Sequence, residues 1–173
     1  MGRSVKPVRV LQHLMSVALL GMAAQVQAQP SRSLCEPGER TVFACEASTK
    51  IVSLCAVGDF RNKTGALSYR FGQYGKAPEL VVASTPHSVA RRFRYHEDLW
   101  AKGMGTSVGF KSGPFHYDVR HAQGAFGVDG GPDRAGVSVS RGTKPVAEIV
   151  CRVDTAVDRM VEELSGTSLH LEP

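Results

Sequence analysis

The sequence lacks any C-x-x-C pair: Cys35, Cys45, Cys55 and Cys151 stand ten or more residues apart, a spacing that argues against a zinc ribbon or a thioredoxin-like redox centre. It lacks an uninterrupted apolar run of the roughly 20 residues that a membrane span needs. The most apolar stretch, residues 10–24, is broken by Gln12 and His13. A large excess of one charge is also missing once the leader described below is set aside. Without Arg3, Lys6 and Arg9 the chain has 18 basic residues against 16 acidic ones, a net charge of +2. Only Arg91, Arg92 and Arg94 cluster, which is too little for the basic face of a nucleic-acid binder. The chain contains no internal repeat and no low-complexity tract, so solenoids and disordered arrays are excluded as well.

What is there begins with an address. Arg3, Lys6 and Arg9 precede the apolar stretch, and Val26-Gln27-Ala28 follows it as an A-x-A-like cleavage site, so residues 1–28 read as a secretory signal peptide. No Cys follows the cleavage point directly, which argues against a lipoprotein anchor. Residues 29–173 then form a single domain with one modest core. All four cysteines lie in this part, and an even set in an exported chain favours two disulfides. The preferred pairing is Cys55 with Cys151 and Cys35 with Cys45, with a direct Cys45–Cys55 bridge across a hairpin as the rival.

From Thr41 onward, short segments rich in β-branched and aromatic residues alternate with turn residues. TVFACEA (41–47), IVSLCAV (51–57), ALSYRFG (66–72), ELVVAS (79–84) and VARRFRYH (89–96) are the first five. TSVGFKS, FHYDVRH, AGVSVSR and PVAEIVCR continue the series, joined by SGP, DGGPDR and GTK. The fold class expected is mainly β, an antiparallel sandwich or barrel of about nine strands. One C-terminal helix completes it: Asp154 or Thr155 caps, Val153, Val157, Met160, Val161 and Leu164 recur at helical spacing, and Gly166 ends it.

GTSVG, residues 105–109, matches the G-x-S-x-G nucleophile elbow letter for letter. The elbow needs a strand, a sharp turn and then a helix, whereas VGFKSGPFHYDV after Ser107 reads as strand, turn and strand. GTSVG is therefore expected to begin a strand. In FHYDVRH, a strand puts His116, Asp118 and Arg120 on one face and Phe115, Tyr117, Val119 and His121 on the other. His116 and Asp118, with His96, would be the residues of a small hydrolase or metalloenzyme, but two ligands without a third in register make no metal site, and no cofactor is expected. His96-Glu97-Asp98 reads as a solvated loop, and Asn62-Lys63-Thr64 is a glycosylation sequon with meaning only in a eukaryotic secretory pathway. Binding residues favour loops on a rigid scaffold, so Tyr74 within residues 73–76, Trp100 within 100–103, and Ser112 with Gly113 are the binding candidates.

Cys35, Val42-Phe43-Ala44-Cys45, Val52-Ser53-Leu54-Cys55-Ala56, Tyr69-Arg70-Phe71-Gly72 and Glu79-Leu80 occur in that order, and GVSVSRGTKPVAEIVC closes the chain's last hairpin. This pattern resembles a group of small exported proteins of Gram-negative bacteria with a V-F-x-C, V-S-x-C-A, Y-R-F-G signature. The resemblance implies a β-rich fold in the periplasm or outside the cell, and brings no activity with it. Ser112-Gly113-Pro114-Phe115-His116-Tyr117 is also similar, with one residue more, to the S-G-x-x-Y loop motif of periplasmic lysozyme inhibitors, which adds Tyr117 to the binding candidates.

These readings lead to the expectation of an exported, non-enzymatic binding protein of the bacterial envelope. Its partner would be a protein or an envelope component, and the concrete form is an inhibitor or immunity protein against an envelope-attacking hydrolase. The alternatives are the small enzyme built on His116 and Asp118, and a structural component of the envelope.

Overall fold

Alternation along β1 (Arg40–Ala47) and β2 (Lys50–Val57) sets Phe43 opposite Leu54 and Cys45 opposite Val52 on one face, with Ala44 opposite Ser53 on the other. Ser48 takes a left-handed φ of 56° in the tight turn between them. β3 (Ala66–Gly72) and β4 (Leu80–Ala83) extend this sheet by further hairpins. A second run comprises β5 (Phe93–Trp100), β6 (Gly103–Ser112), β7 (Phe115–Gly124), β8 (Arg134–Arg141) and β9 (Lys144–Val150), each antiparallel to the next. Gly113 and Gly142, with φ of 57° and 60°, supply the left-handed positions that the two-residue turns after β6 and β8 require.

This is a computed structural model, and it describes residues 1–2, 32–124 and 133–170. Nearly all of the expected signal peptide and most of the DGGPDR connection therefore lie outside the described residues. With the short strand β10 (Val157–Asp158), the two sheets have the orders β10-β1-β2-β3-β4 and β5-β6-β7-β8-β9 and do not close on each other, which makes the fold a sandwich and not a barrel. Between them lie Phe43, Leu54, Tyr69 and Val82 from the first sheet and Phe93, Tyr95, Val108, Phe110, Val119 and Val137 from the second. Tyr69 packs 4.7 Å from the Phe110 ring, and Phe110 stacks on Tyr117 at 5.1 Å. Each such buried ring contributes on the order of 2 kcal/mol.

The nine expected strands are present, with three corrections to their surroundings. Val89–Arg92 forms a short helix, α1, instead of the first half of a strand. The Thr85 carbonyl accepts from Val89 N at 2.9 Å and the Ser88 hydroxyl from Thr85 N at 2.9 Å, so the Thr-Pro-His-Ser turn closes a helical turn before β5 starts. His96-Glu97-Asp98 lies within β5 and is not a loop. At the C-terminus the helix α2 is confined to Met160–Leu164. Val157–Asp158 instead makes a tenth strand, β10, opposite Ala44 and Phe43, and Val153–Thr155 is a single 3₁₀ turn. Pairing to the free edge of β1 overrides the helical spacing there. Gly166, with φ of 66°, follows the helix as expected.

The disulfides join Cys35 to Cys55 and Cys45 to Cys151, which overturns both the preferred pairing and its rival. Parity explains it. Cys45 faces the core and meets the chain emerging from β9, with Cα atoms 5.7 Å apart. Cys55 pairs with Ser68 on the outer face of the first sheet, where it meets only the N-terminal segment. That segment is fixed there by Leu34 N donating to Ser53 and by Arg70 reaching Glu39.

Candidate functional site

The inner face of the second sheet is apolar because alternate residues of every strand pack into the sandwich; the outer face is polar for the same reason. On β6 the outward positions are Gly103, Gly105, Ser107, Gly109 and Lys111. A strand with almost no outward side chains makes a trough, and its neighbours make the walls. Arg94 and His96 of β5 stand opposite Gly109 and Ser107, while His116 and Asp118 of β7 stand opposite Lys111 and Gly109.

One end of the trough is filled. Trp100, the last residue of β5, lies over Gly103 and Gly105: a methyl group on Gly105 would sit 3.2 Å from the indole, and one on Gly103 would collide with it. The other end is open, a cleft of about 770 Å³ that α1 overhangs with Ser88, Arg91 and Arg92. A methyl group on Gly109 would lie 3.3 Å from the His116 Nε2, so the bare strand is what lets the imidazole lean across the floor.

Charge in the cleft is lopsided. Asp118 is its acid, and Arg120 holds it at 3.2 Å. Burial pushes the Asp118 carboxyl above its ordinary value, outweighing the opposing pull of Arg120, His116, the Ser107 hydroxyl that donates to it, and His96. Arg91, Arg92, Arg94 and Lys111 have no ion pair among the described residues, whereas Arg40, Arg70, Arg152 and Arg159 each hold a carboxylate.

The sequence expectations fall in different places. Ser107 sits in mid-strand with its hydroxyl on Asp118, and the His96 ring is bonded to Asp98 at 3.1 Å, so no serine–histidine pair forms. His116 and Asp118 share the outer face with His96, but the group of three metal-ligand side chains that closes up among the described residues is Cys35, Glu39 and Cys55, whose sulfurs are spent on the disulfide. Tyr74 is exposed on the β3–β4 connection of the other sheet, where Arg32 lies 5.5 Å from its ring. Ser112 and Gly113 stand at the opposite end of β6 from Trp100, and Tyr117 points inward onto Phe110. The five binding candidates are thus not brought together.

Two features escaped the sequence. Arg91, Arg92 and Arg94 were legible as a cluster, but their meeting with Lys111 and His116 depends on sheet pairing. The second is a polar group at one end of the interior: His121 Nδ1 lies 2.7 Å from Asp158 Oδ2, and Thr106 donates to the same oxygen at 3.1 Å. An inward-facing histidine on β7 was the available signal that a buried partner must exist.

Comparison with known proteins brings no matching family model, no matching curated protein and no matching solved structure.

Proposed function

We propose that this is an exported binding protein of the bacterial envelope, and that it takes its ligand in the open cleft on the outer face of the second sheet. The observation that carries the reading is the convergence, on one concave surface, of four cations that have no ion pair among the described residues. Leaving such charges together without counter-ions costs stability, and a ligand that neutralises them accounts for their retention. The two disulfides fit an oxidising compartment, and no helix among the described residues is long and apolar enough to cross a membrane. The enzyme reading is the weaker one, since Ser107 meets no histidine among the described residues, the His96 ring being bonded to Asp98 instead.

The test is a capture with an internal control. The exported, oxidised protein is immobilised and exposed to envelope extract, beside a variant carrying Arg91→Ala and Lys111→Ala. Both residues are exposed, so the variant keeps its fold. Material held by the original and released by the variant supports the reading. Equal retention by both removes the cleft from the binding surface.

A further inference from the structure

Resting on the binding reading above, the geometry points to a ligand of one chemical class: a phosphate ester carried on a hydroxyl-rich, sugar-like skeleton, with the phosphate among Arg91, Arg94 and Lys111 and the hydroxyls over Ser107 and Asp118.

The argument starts from what each part of the cleft lacks. The rim lacks negative charge. Arg91 and Arg92 from α1, Arg94 from β5 and Lys111 from β6 converge with no carboxylate partner among the described residues. A carboxylate would offer a single charge and two oxygens. A phosphate monoester brings about 1.5 to 2 negative charges near neutral pH and three acceptor oxygens, enough for more than one guanidinium fork and an ammonium at once.

The floor has the opposite need. The carboxylate of Asp118 is held by Arg120, with the Ser107 hydroxyl nearby, and it lines the cleft as a hydrogen-bond acceptor. An anion's oxygens cannot satisfy an acceptor; a hydroxyl can. A ligand with only negative charge would be repelled by the floor, and a neutral sugar would leave the rim unneutralised. Joining the two in one molecule meets both demands. The absence of side chains at Gly109 leaves the floor low enough for a ring, and the volume of about 770 Å³ is in the range of small-molecule sites. A second hollow of about 480 Å³ shares Lys111 and His116 and continues toward Gly113 and Gly142, which leaves room for a further unit of a longer ligand.

The test is titration calorimetry on the exported, disulfide-bonded protein with glucose 6-phosphate, glucose, glucuronate, inorganic phosphate and phosphatidylglycerol vesicles as separate probes. Glucose 6-phosphate should bind about tenfold tighter than inorganic phosphate or glucuronate, with no heat from glucose. Arg91→Ala and Lys111→Ala should each weaken it by about five- to tenfold, while Lys63→Ala, on a distant turn, changes nothing. Asp118→Asn should keep inorganic phosphate binding and erase the preference for the sugar ester. Equal affinity for glucuronate and glucose 6-phosphate would overturn the assignment of phosphate. Binding to vesicles alone would overturn it in favour of a lipid surface. If no probe binds but envelope material is still released by the Arg91→Ala, Lys111→Ala variant, the phosphate inference fails and the binding reading stands; if neither is seen, both fail.

Discussion

Arg70 is 7% exposed although it lies on the outer face of its sheet, because residues 33–39 are strapped across it. Its guanidinium holds Glu39 through both terminal nitrogens, with Glu36 at 3.3 Å. Its neighbours in Tyr69-Arg70-Phe71-Gly72 are equally placed: Tyr69 fills the core, and a methyl on Gly72 would come within 3.0 Å of the Pro78 Cα. Burial pushes the Glu39 carboxyl up, but the bonds from Arg70 and from the Glu36 turn, together with the Arg70 charge, outweigh it and hold the group below its ordinary value of 4.5. A depressed folded-state value means that the stabilisation is complete above the unfolded value and is lost as pH falls through the folded one. Arg70→Met should therefore cost about 3 kcal/mol at neutral pH, since it strands a mostly buried carboxylate. The gap to the original protein, read by urea denaturation, should be constant well above the ordinary value of 4.5 and should narrow as the pH falls below it. A gap that stays the same across that range would show that Glu39 is not what Arg70 stabilises.

At the scale of elements, period-2 alternation was enough to find β1 to β9 but not the two-residue β10, because each strand of a sandwich carries one apolar face. Where the reading failed, a pairing partner intervened. Val153 and Val157 have helical spacing with Met160, yet the open edge of β1 captures Val157 as a strand. The cysteines failed for a related reason: a one-residue change of parity reverses the face, and Cys55 lies three residues beyond Val52, the partner of Cys45, so the two cysteines face opposite ways. With the pairing known, the two bridges have different reach. Cys35–Cys55 spans 20 residues and staples a strap to one sheet, whereas Cys45–Cys151 spans 106 and ties the first sheet to the end of β9. In the chain-entropy model these closures are worth about 3 and about 4.7 kcal/mol. The Cys45→Ala, Cys151→Ala variant should accordingly lose more stability in denaturant than Cys35→Ala, Cys55→Ala. Non-reducing peptide mapping should recover the same two linked pairs, and a Cys45–Cys55 or Cys55–Cys151 peptide would refute the arrangement.

For the molecule as a whole, the candidate site was legible only in pieces. The sequence showed the Arg91–Arg94 cluster, the outward trio His116, Asp118 and Arg120, and the glycines around Ser107, but a trough exists only once β5, β6 and β7 are laid side by side. The interior seam was hidden for the same reason. Residues 151–170 run along the join between the sheets: Arg159 N donates to the Val42 carbonyl at 2.8 Å in the first sheet, and Tyr95 N of the second donates to Leu169 at 2.7 Å. Asp158 holds both sides at once. Its backbone pairs with Phe43, its Oδ2 takes bonds from His121 and Thr106, and its Oδ1 accepts from Met160 N to start α2. With one residue serving both sheets, neither should unfold alone. Trp100, at the end of β5, reports on the second sheet, and far-ultraviolet circular dichroism reports on both. The two signals should follow one transition in denaturant. Asp158→Ala leaves His121 and Met160 N without their acceptor and Thr106 with only its longer bond to the His121 carbonyl, and should lower the midpoint by the equivalent of about 3 kcal/mol, with the transitions still coincident. A loss under about 0.5 kcal/mol, of the size usual for surface substitutions, would mean that the seam is held elsewhere. Trp100 fluorescence changing before the circular dichroism would mean that the two sheets are independent folding units.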